Sequence, residues 1–165
     1  MKKIHDKNYW ISRLELQVHP EGGFYKEIYR SEIAVNLTSD THQKRTASTS
    51  IYYLLDAETK SFCHRLQSDE IWYYHAGAPV TLYLIDEAGN WSLKICGPNE
   101  GEELAVLIPK NTWFGARVTE PHAFVLVSCV VSPGFDFNDF EMIDRNELIE
   151  MFPQHKEGIL QYTLK

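Results

Sequence analysis

The sequence predicts a mostly β domain, a sandwich or jelly roll, with a short helix at each end. Three observations carry this. Short runs rich in β-branched and aromatic side chains recur from Phe24 to Val131. Turn-forming clusters separate them, such as residues 86–90 (DEAGN) and 97–103 (GPNEGEE). Helical periodicity is confined to the two ends, so the strand–helix alternation of βαβ units is missing.

Taken in order, Asp6 caps a helix over residues 7–16, with Trp10, Ile11 and Leu14 on one side. Pro20 and Gly22-Gly23 mark a turn, and residues 24–30 follow as a strand. Side chains alternate, so one face of that strand carries Tyr25, Glu27 and Tyr29, the other Phe24, Lys26, Ile28 and Arg30. Cations beside Phe24 and Ile28 suit either an edge strand with a solvated face or the rim of a pocket for an anionic ligand. Residues 32–47 are polar without a period and read as a long loop, of the kind that forms lids or interface arms. Residues 49–55 (TSIYYLL) are a central strand, and residues 56–60 turn the chain.

Residues 61–77 (SFCHRLQSDEIWYYHAG) read as two strands joined by Gln67-Ser68-Asp69. Phe62, His64 and Leu66 share a face of the first strand and Glu70, Trp72 and Tyr74 a face of the second, so the imidazole and the carboxylate fall on one face of the sheet. In such a hairpin Leu66 and Glu70 lie opposite each other, with His64 diagonal to Glu70 and within reach. A buried imidazole and carboxylate are costly unless they satisfy each other or serve a site. Arg65 faces away from His64, and Asp69 shapes its loop. Residues 79–85, 91–95, 104–108, 112–118 and 123–131 complete the strands. A C-terminal helix is capped by Asp144, with Glu147 three residues later in a capping-box arrangement. Leu148, Ile149 and Phe152 form its apolar face, and Pro153 stops it.

With 165 residues, 44% hydrophobic and 13% aromatic, the chain suits one globular domain over residues 1–165. A net charge of −7 without a Lys/Arg cluster argues against nucleic acid as a partner. The longest apolar run, residues 123–131, is too short to span a bilayer, and the first residues lack the apolar core of a signal peptide. Cys63, Cys96 and Cys129 form no CxxC spacing and are expected as reduced, buried thiols of a cytoplasmic protein. Without a P-loop or GxGxxG, no nucleotide cofactor is indicated. Cys63 points away from His64, so a covalent nucleophile is unsupported.

Residues 61–77 and 104–117 resemble the two motifs of the cupin superfamily of small β-barrels. The first motif runs His-x-His, three or four residues, Glu, six residues, Gly; here those positions hold His64, Leu66, Glu70 and Gly77. The second, Pro-x-Gly-x-x-His, corresponds to Pro109, Asn111 and Phe114. HPEGGFYKEIYRS, FCHRLQSDEIWYYHAG, IPKNTWFGA and SPGFDFNDFE in combination are similar to one mostly uncharacterised branch, cupin family five, over nearly the whole chain. The resemblance implies a double-stranded β-helix, or jelly-roll barrel, with a small-molecule ligand inside, and a homodimer formed through N-terminal strands.

Metal-dependent cupins bind their ion through three His and one Glu. Here Leu66 and Phe114 stand in place of two of those His. One imidazole and one carboxylate leave a divalent ion mostly hydrated, so neither metal nor other cofactor is expected. Metal-free cupins related to sugar-nucleotide epimerases use an imidazole base, a carboxylate partner and a tyrosine acid. By that resemblance His64 is a general acid or base, and Glu70 orients it and favours its charged form. Trp72, Tyr74, Trp113 and Phe114, with Tyr52 or Tyr53, would line the interior, unless these rings simply fill it. Tyr25, Tyr52 and Tyr74 are the candidate acids, and Lys26 and Arg30 the candidate rim cations. A non-catalytic ligand-binding or sensing cupin is the alternative, and a metal-dependent oxygenase with an atypical ligand set stands third.

Overall fold

The computed structural model describes residues 5–37 and 44–163. Helix α1 (Lys7–Leu14) begins at Asp6, whose carboxylate accepts the Tyr9 N–H at 2.9 Å, and ends at Glu15 in the left-handed region. The strands are β1 (Gln17–Val18), β2 (Phe24–Arg30), β3 (Ala34–Asn36), β4 (Lys44–Thr46), β5 (Thr49–Asp56), β6 (Lys60–Leu66) and β7 (Asp69–Gly77). They continue with β8 (Val80–Ile85), β9 (Trp91–Cys96), β10 (Ala105–Ile108), β11 (Trp113–Val118), β12 (Phe124–Ser132) and β13 (Phe140–Met142). One antiparallel sheet runs β1-β2-β5-β12-β7-β10 and faces a second, β13-β6-β11-β8-β9. Strands β3 and β4 pair with each other, so part of the expected loop is a small ribbon; its residues 38–43 lie outside the described residues.

The expected hairpin over residues 61–77 is corrected. Strand β6 pairs with β11 and β13, while β7 pairs with β12 and β10. The chain crosses from one sheet to the other at Gln67-Ser68, a sheet change of the kind from which jelly rolls are built. His64 and Glu70 therefore approach from opposite walls of the barrel and not along one sheet.

Alternation fills the space between the sheets with Leu55, Leu82, Leu84, Val106, Val118, Val125 and Val127, all buried. Burying each such side chain stabilises the fold by roughly 1.5–3 kcal/mol. The opposite faces carry two satellite clusters. Leu16, Leu54 and Leu126 meet Trp10, Ile11 and Leu14 of α1. Cys63, Tyr83, Ile85 and Trp113 meet Leu148 of α2 (Arg145–Met151) and Ile159 of α3 (Lys156–Tyr162). The Asp144 and Glu147 capping box is present at the start of α2. Helix α3 was not legible in the sequence, because Pro153 does stop α2 but only a single 3-10 turn (Pro153–His155) intervenes. No helix among the described residues is long and apolar enough to cross a membrane.

Candidate functional site

The site begins with the turn between β1 and β2. His19 N–H donates to the Gly23 carbonyl at 3.0 Å, and Gly22 N–H to the His19 carbonyl at 3.0 Å. The turn is wedged between the sheets: the Glu21 carbonyl accepts the Phe62 N–H at 2.9 Å, and the Gly22 carbonyl accepts the Tyr53 hydroxyl at 2.8 Å. A Cβ on Gly22 (φ +99°) would stand 2.1 Å from the Lys60 carbonyl oxygen, and one on Gly23 (φ +72°) 2.5 Å from that of Leu54. Only glycine permits both the dihedrals and the approach. What the turn delivers is the Glu21 side chain, carried into the barrel.

Strand β6 receives it through a bulge. Phe114 pairs with His64 but Ala116 with Ser61, so the backbone slips around Phe62 and Cys63. Ser61 and His64 consequently both face Glu21, while Phe62 is 43% exposed. The expected common face of Phe62, His64 and Leu66 is broken there.

His64 Nδ1 lies 2.7 Å from the Phe62 carbonyl oxygen. A carbonyl only accepts, so Nδ1 bears the hydrogen and the neutral ring turns its Nε2 lone pair toward Glu21. The Nε2 to Glu21 Oε2 separation is 3.4 Å, and Ser61 Oγ donates to the same oxygen at 3.4 Å. A lone pair facing a carboxyl needs a proton between them. Burial decides which group holds it. It pushes Glu21 up to about 8, against the Ser61 hydrogen bond, and it lowers His64 despite the pull of Glu70. Glu21 is therefore the acid and His64 the neutral acceptor. As expected, the Glu70 carboxylate favours the His64 imidazolium, but desolvation outweighs it and His64 is lowered overall.

Glu70 is also pushed up, to about 7, by burial, with His64, Trp72 and Cys129 acting in the opposite sense. Trp72 Nε1–H donates to Glu70 Oε1 at 2.7 Å. His19 is lowered to about 4, by burial and by His64. Its Nδ1 accepts the Glu21 N–H at 3.1 Å, which fixes the other ring nitrogen as the donor.

Glu21, Glu70 and His19 face a cavity of about 110 Å³ walled by Tyr25, Tyr53, Trp72, Phe135 and Phe137. This is smaller than the roughly 150 Å³ hole that binds benzene, so it takes a few heavy atoms or one end of a larger ligand. His64 is 2% exposed and reaches the cavity through Glu21.

Among the residues singled out from the sequence, Glu70, Trp72, Tyr25, Arg30 and, of the alternatives Tyr52 or Tyr53, Tyr53 line the cavity. Arg30 does so because Ile28 is an extra residue in β2: Glu27 pairs with Ile51, yet Tyr29 pairs with Ser50. The bulge moves Arg30 off the face it was expected to share with Lys26. Its guanidinium donates to Glu27 Oε1 and Oε2 at 3.0 and 2.7 Å and to the Phe135 carbonyl at 3.1 Å. Phe114 stands behind His64, ring centroids 4.2 Å apart, as part of the solid core. Tyr74 points inward but lies away from the cavity, its hydroxyl donating to the Gly77 carbonyl at 2.6 Å.

Tyr52, Lys26 and Trp113 correct the expectation. Each falls on the outer side of its strand. Tyr52 packs in the α1 cluster, and Lys26 Nζ pairs with Glu15 at 2.6 Å. Trp113 is covered by α2 and α3 and lies under the Arg65 guanidinium at 4.4 Å. His19, Glu21, Glu27, Phe135 and Phe137 were not singled out as site residues. The paired glycines after Glu21 were the available signal that its backbone makes a close approach.

A jelly-roll barrel whose interior is part apolar core and part small hollow with inward-turned His and Glu is a barrel of the cupin kind. The family model described as Cupin superfamily (DUF985) matches residues 8–143, and the chain belongs to that family. A hypothetical protein from Leishmania major is 38% identical, with a TM-score of 0.89 over 98% of this chain and 100% of its own. A protein from Shewanella oneidensis, solved by X-ray crystallography, is 39% identical, with a TM-score of 0.87 over 98% of this chain and 99% of its own. A cupin 2 domain-containing protein from Halorhodospira halophila shares 13% identity at a TM-score of 0.59, over 90% of this chain and 88% of its own, which shows the fold alone. Among curated proteins, none matches the chain.

The donor set does not fit a transition metal. Among the described residues no three His, Cys, Asp or Glu side chains are arranged to hold an ion. Phe114 and Leu66 occupy two positions that carry His in metal-dependent cupins, and the Nε2 of His64 is turned to Glu21.

Proposed function

We propose that this cupin is a small-molecule enzyme of the epimerase or isomerase kind, which moves a proton on a ligand held in the cavity. The observation that supports this is the Glu21–His64 contact: an imidazole lone pair backed by a carbonyl at Nδ1, facing a carboxyl 3.4 Å away. Glu21, which burial raises further, to about 8, is the acid, and Glu70, raised less, to about 7, serves as the base. Glu70 removes a C–H proton beside a carbonyl as Glu21 protonates the carbonyl oxygen, giving an enol. Delivery of a proton to the opposite face of that carbon, after the enol has turned over against Glu70, completes an epimerisation. Delivery by Glu70 to the far carbon of a conjugated enol completes an isomerisation. In either case the hydroxyl proton goes back to Glu21, with no net change in oxidation state. His64 Nε2 holds the Glu21 proton in place before the first step, and the Ser61 hydroxyl, which donates to Glu21 Oε2 at 3.4 Å, stabilises the carboxylate between the two steps.

The test is ligand discovery by thermal shift across small metabolites, followed by NMR detection of deuterium entering the bound compound from D₂O. Exchange abolished in Glu21→Gln and in His64→Ala supports the enzyme reading. Tight binding with no exchange in the wild type contradicts it and favours a sensing cupin, for which the sealing of His64 behind Glu21 speaks. A homodimer is part of the same proposal. Val18, Tyr29 and Ile33 are 74%, 54% and 69% exposed along the edge formed by β1 and β2, and light scattering tests it.

A further inference from the structure

We infer that the end of the ligand taken into this cavity is a small organic cation, a protonated amine with a short carbon chain. The inference rests on the cavity being the working site and deepens that reading. The first ground is the charge of the lining. Glu21, Glu27 and Glu70 contribute carboxyls, and Arg30 is the one cationic side chain among the lining residues. That guanidinium is already engaged on both oxygens of Glu27 and on the Phe135 carbonyl. Lys26 is turned away to Glu15. An anionic group entering the cavity meets no uncommitted cation and faces two carboxyls.

The second ground is the wall. Tyr25, Tyr53, Trp72 and Phe135 present rings around the two carboxyls. Aromatic faces attract a cation through their quadrupole, and the attraction grows as water is excluded. A hard metal ion needs several oxygen or nitrogen donors converging on one point, which the described residues do not supply. An ammonium group needs less: acceptors for its N–H bonds and polarisable surface for its carbons.

The third ground is the acids themselves. Glu21 and Glu70 are buried with no Lys or Arg among the described residues paired to either carboxyl, and burial holds both above the usual carboxylate range. A bound ammonium supplies the missing countercharge and favours the ionised form of Glu70, the base, while Glu21 keeps its proton against His64. The cavity of about 110 Å³ accommodates the ammonium and a few carbons.

Three probes of one length and different charge test this: propylammonium, propan-1-ol and propionate, each titrated into the full-length protein at matched ionic strength. The Trp72 indole N–H, which reports on Glu70, is followed by NMR together with calorimetry. Propylammonium is expected to saturate, at least about tenfold tighter than propan-1-ol, with propionate weakest. Glu70→Gln is expected to weaken propylammonium by about tenfold or more and to leave propan-1-ol unchanged. If Glu21→Gln fails to fold, the wild-type ranking and Glu70→Gln still decide. Equal binding of the alcohol, tighter binding of propionate, or no saturation by propylammonium overturns the inference. Deuterium exchange into a neutral or anionic ligand would overturn it while leaving the enzyme reading intact. Propylammonium binding in a protein that exchanges no ligand proton would do the reverse.

Discussion

The interior of this barrel has two halves that share strands β5 and β12 and have opposite physical roles. In one, Leu55, Leu82, Val118, Val125 and Val127 pack together as buried apolar side chains. In the other, β5, β6, β7 and β12 carry Tyr53, His64, Glu70 and Cys129, and the turn before β2 adds His19 and Glu21. The first half gains stability from every side chain it buries. The second buries ionisable groups at a cost, and their charged forms are suppressed as a result. A small barrel can maintain a strained polar site at one end because its other end is packed as a plain hydrophobic core.

Substitutions can separate the halves. The largest expected effect is on chemistry: Glu21→Gln lowers ligand proton exchange by about 10²–10⁴-fold while the apolar half keeps the fold intact. Equal exchange rates in variant and wild type would mean that the polar half is structural. Next, Leu82→Ala should cost about 2–5 kcal/mol in urea unfolding, with exchange per folded molecule unchanged. A fall in that specific rate would show the halves to be coupled.

Stability should depend on pH through the polar half. Glu21 and Glu70 are raised from 4.5, so the folded state binds more protons than the unfolded one, and stability falls as pH rises toward about 8. His19 is lowered from 6.5 to about 4, so its contribution rises with pH over that range and opposes the acids. Above pH 6.5 the histidine term is spent and the carboxyl term remains. The melting temperature is expected to decline from pH 6.5 to about 8, with a shallower decline in Glu21→Gln. A flat profile in the wild type would contradict the burial of these acids. The smallest effect belongs to Lys26→Ala, since Lys26 and Glu15 pair on the exposed side of β2. Ligand affinity should not change, and a loss would return Lys26 to the pocket rim.

The strands were legible in the sequence because alternation and turn residues are local signals. Strand β2 coincides with its expected bounds, and β5, β8, β11 and β12 differ from theirs by one residue at one or both ends. The site was legible only where alternation ran undisturbed, as along Glu70 and Trp72. Bulges at Ile28 and at Phe62 and Cys63 reset the faces of β2 and β6, and nothing in FYKEIYR or KSFCHRL announces an unpaired residue. The sheet change at Gln67-Ser68 is likewise set by which strands pair at long range, beyond the reach of a local pattern. Glu21 was hidden for a third reason. Its turn looks like any Pro and Gly turn until the Lys60 and Leu54 carbonyls against its glycines show where it is wedged.

The account turns on who holds the proton between Glu21 and His64, and ¹⁵N NMR of the His64 ring at pH 7 reads this directly. A neutral imidazole protonated at Nδ1 and bare at Nε2 is predicted. An imidazolium, or a neutral ring protonated at Nε2, would contradict it.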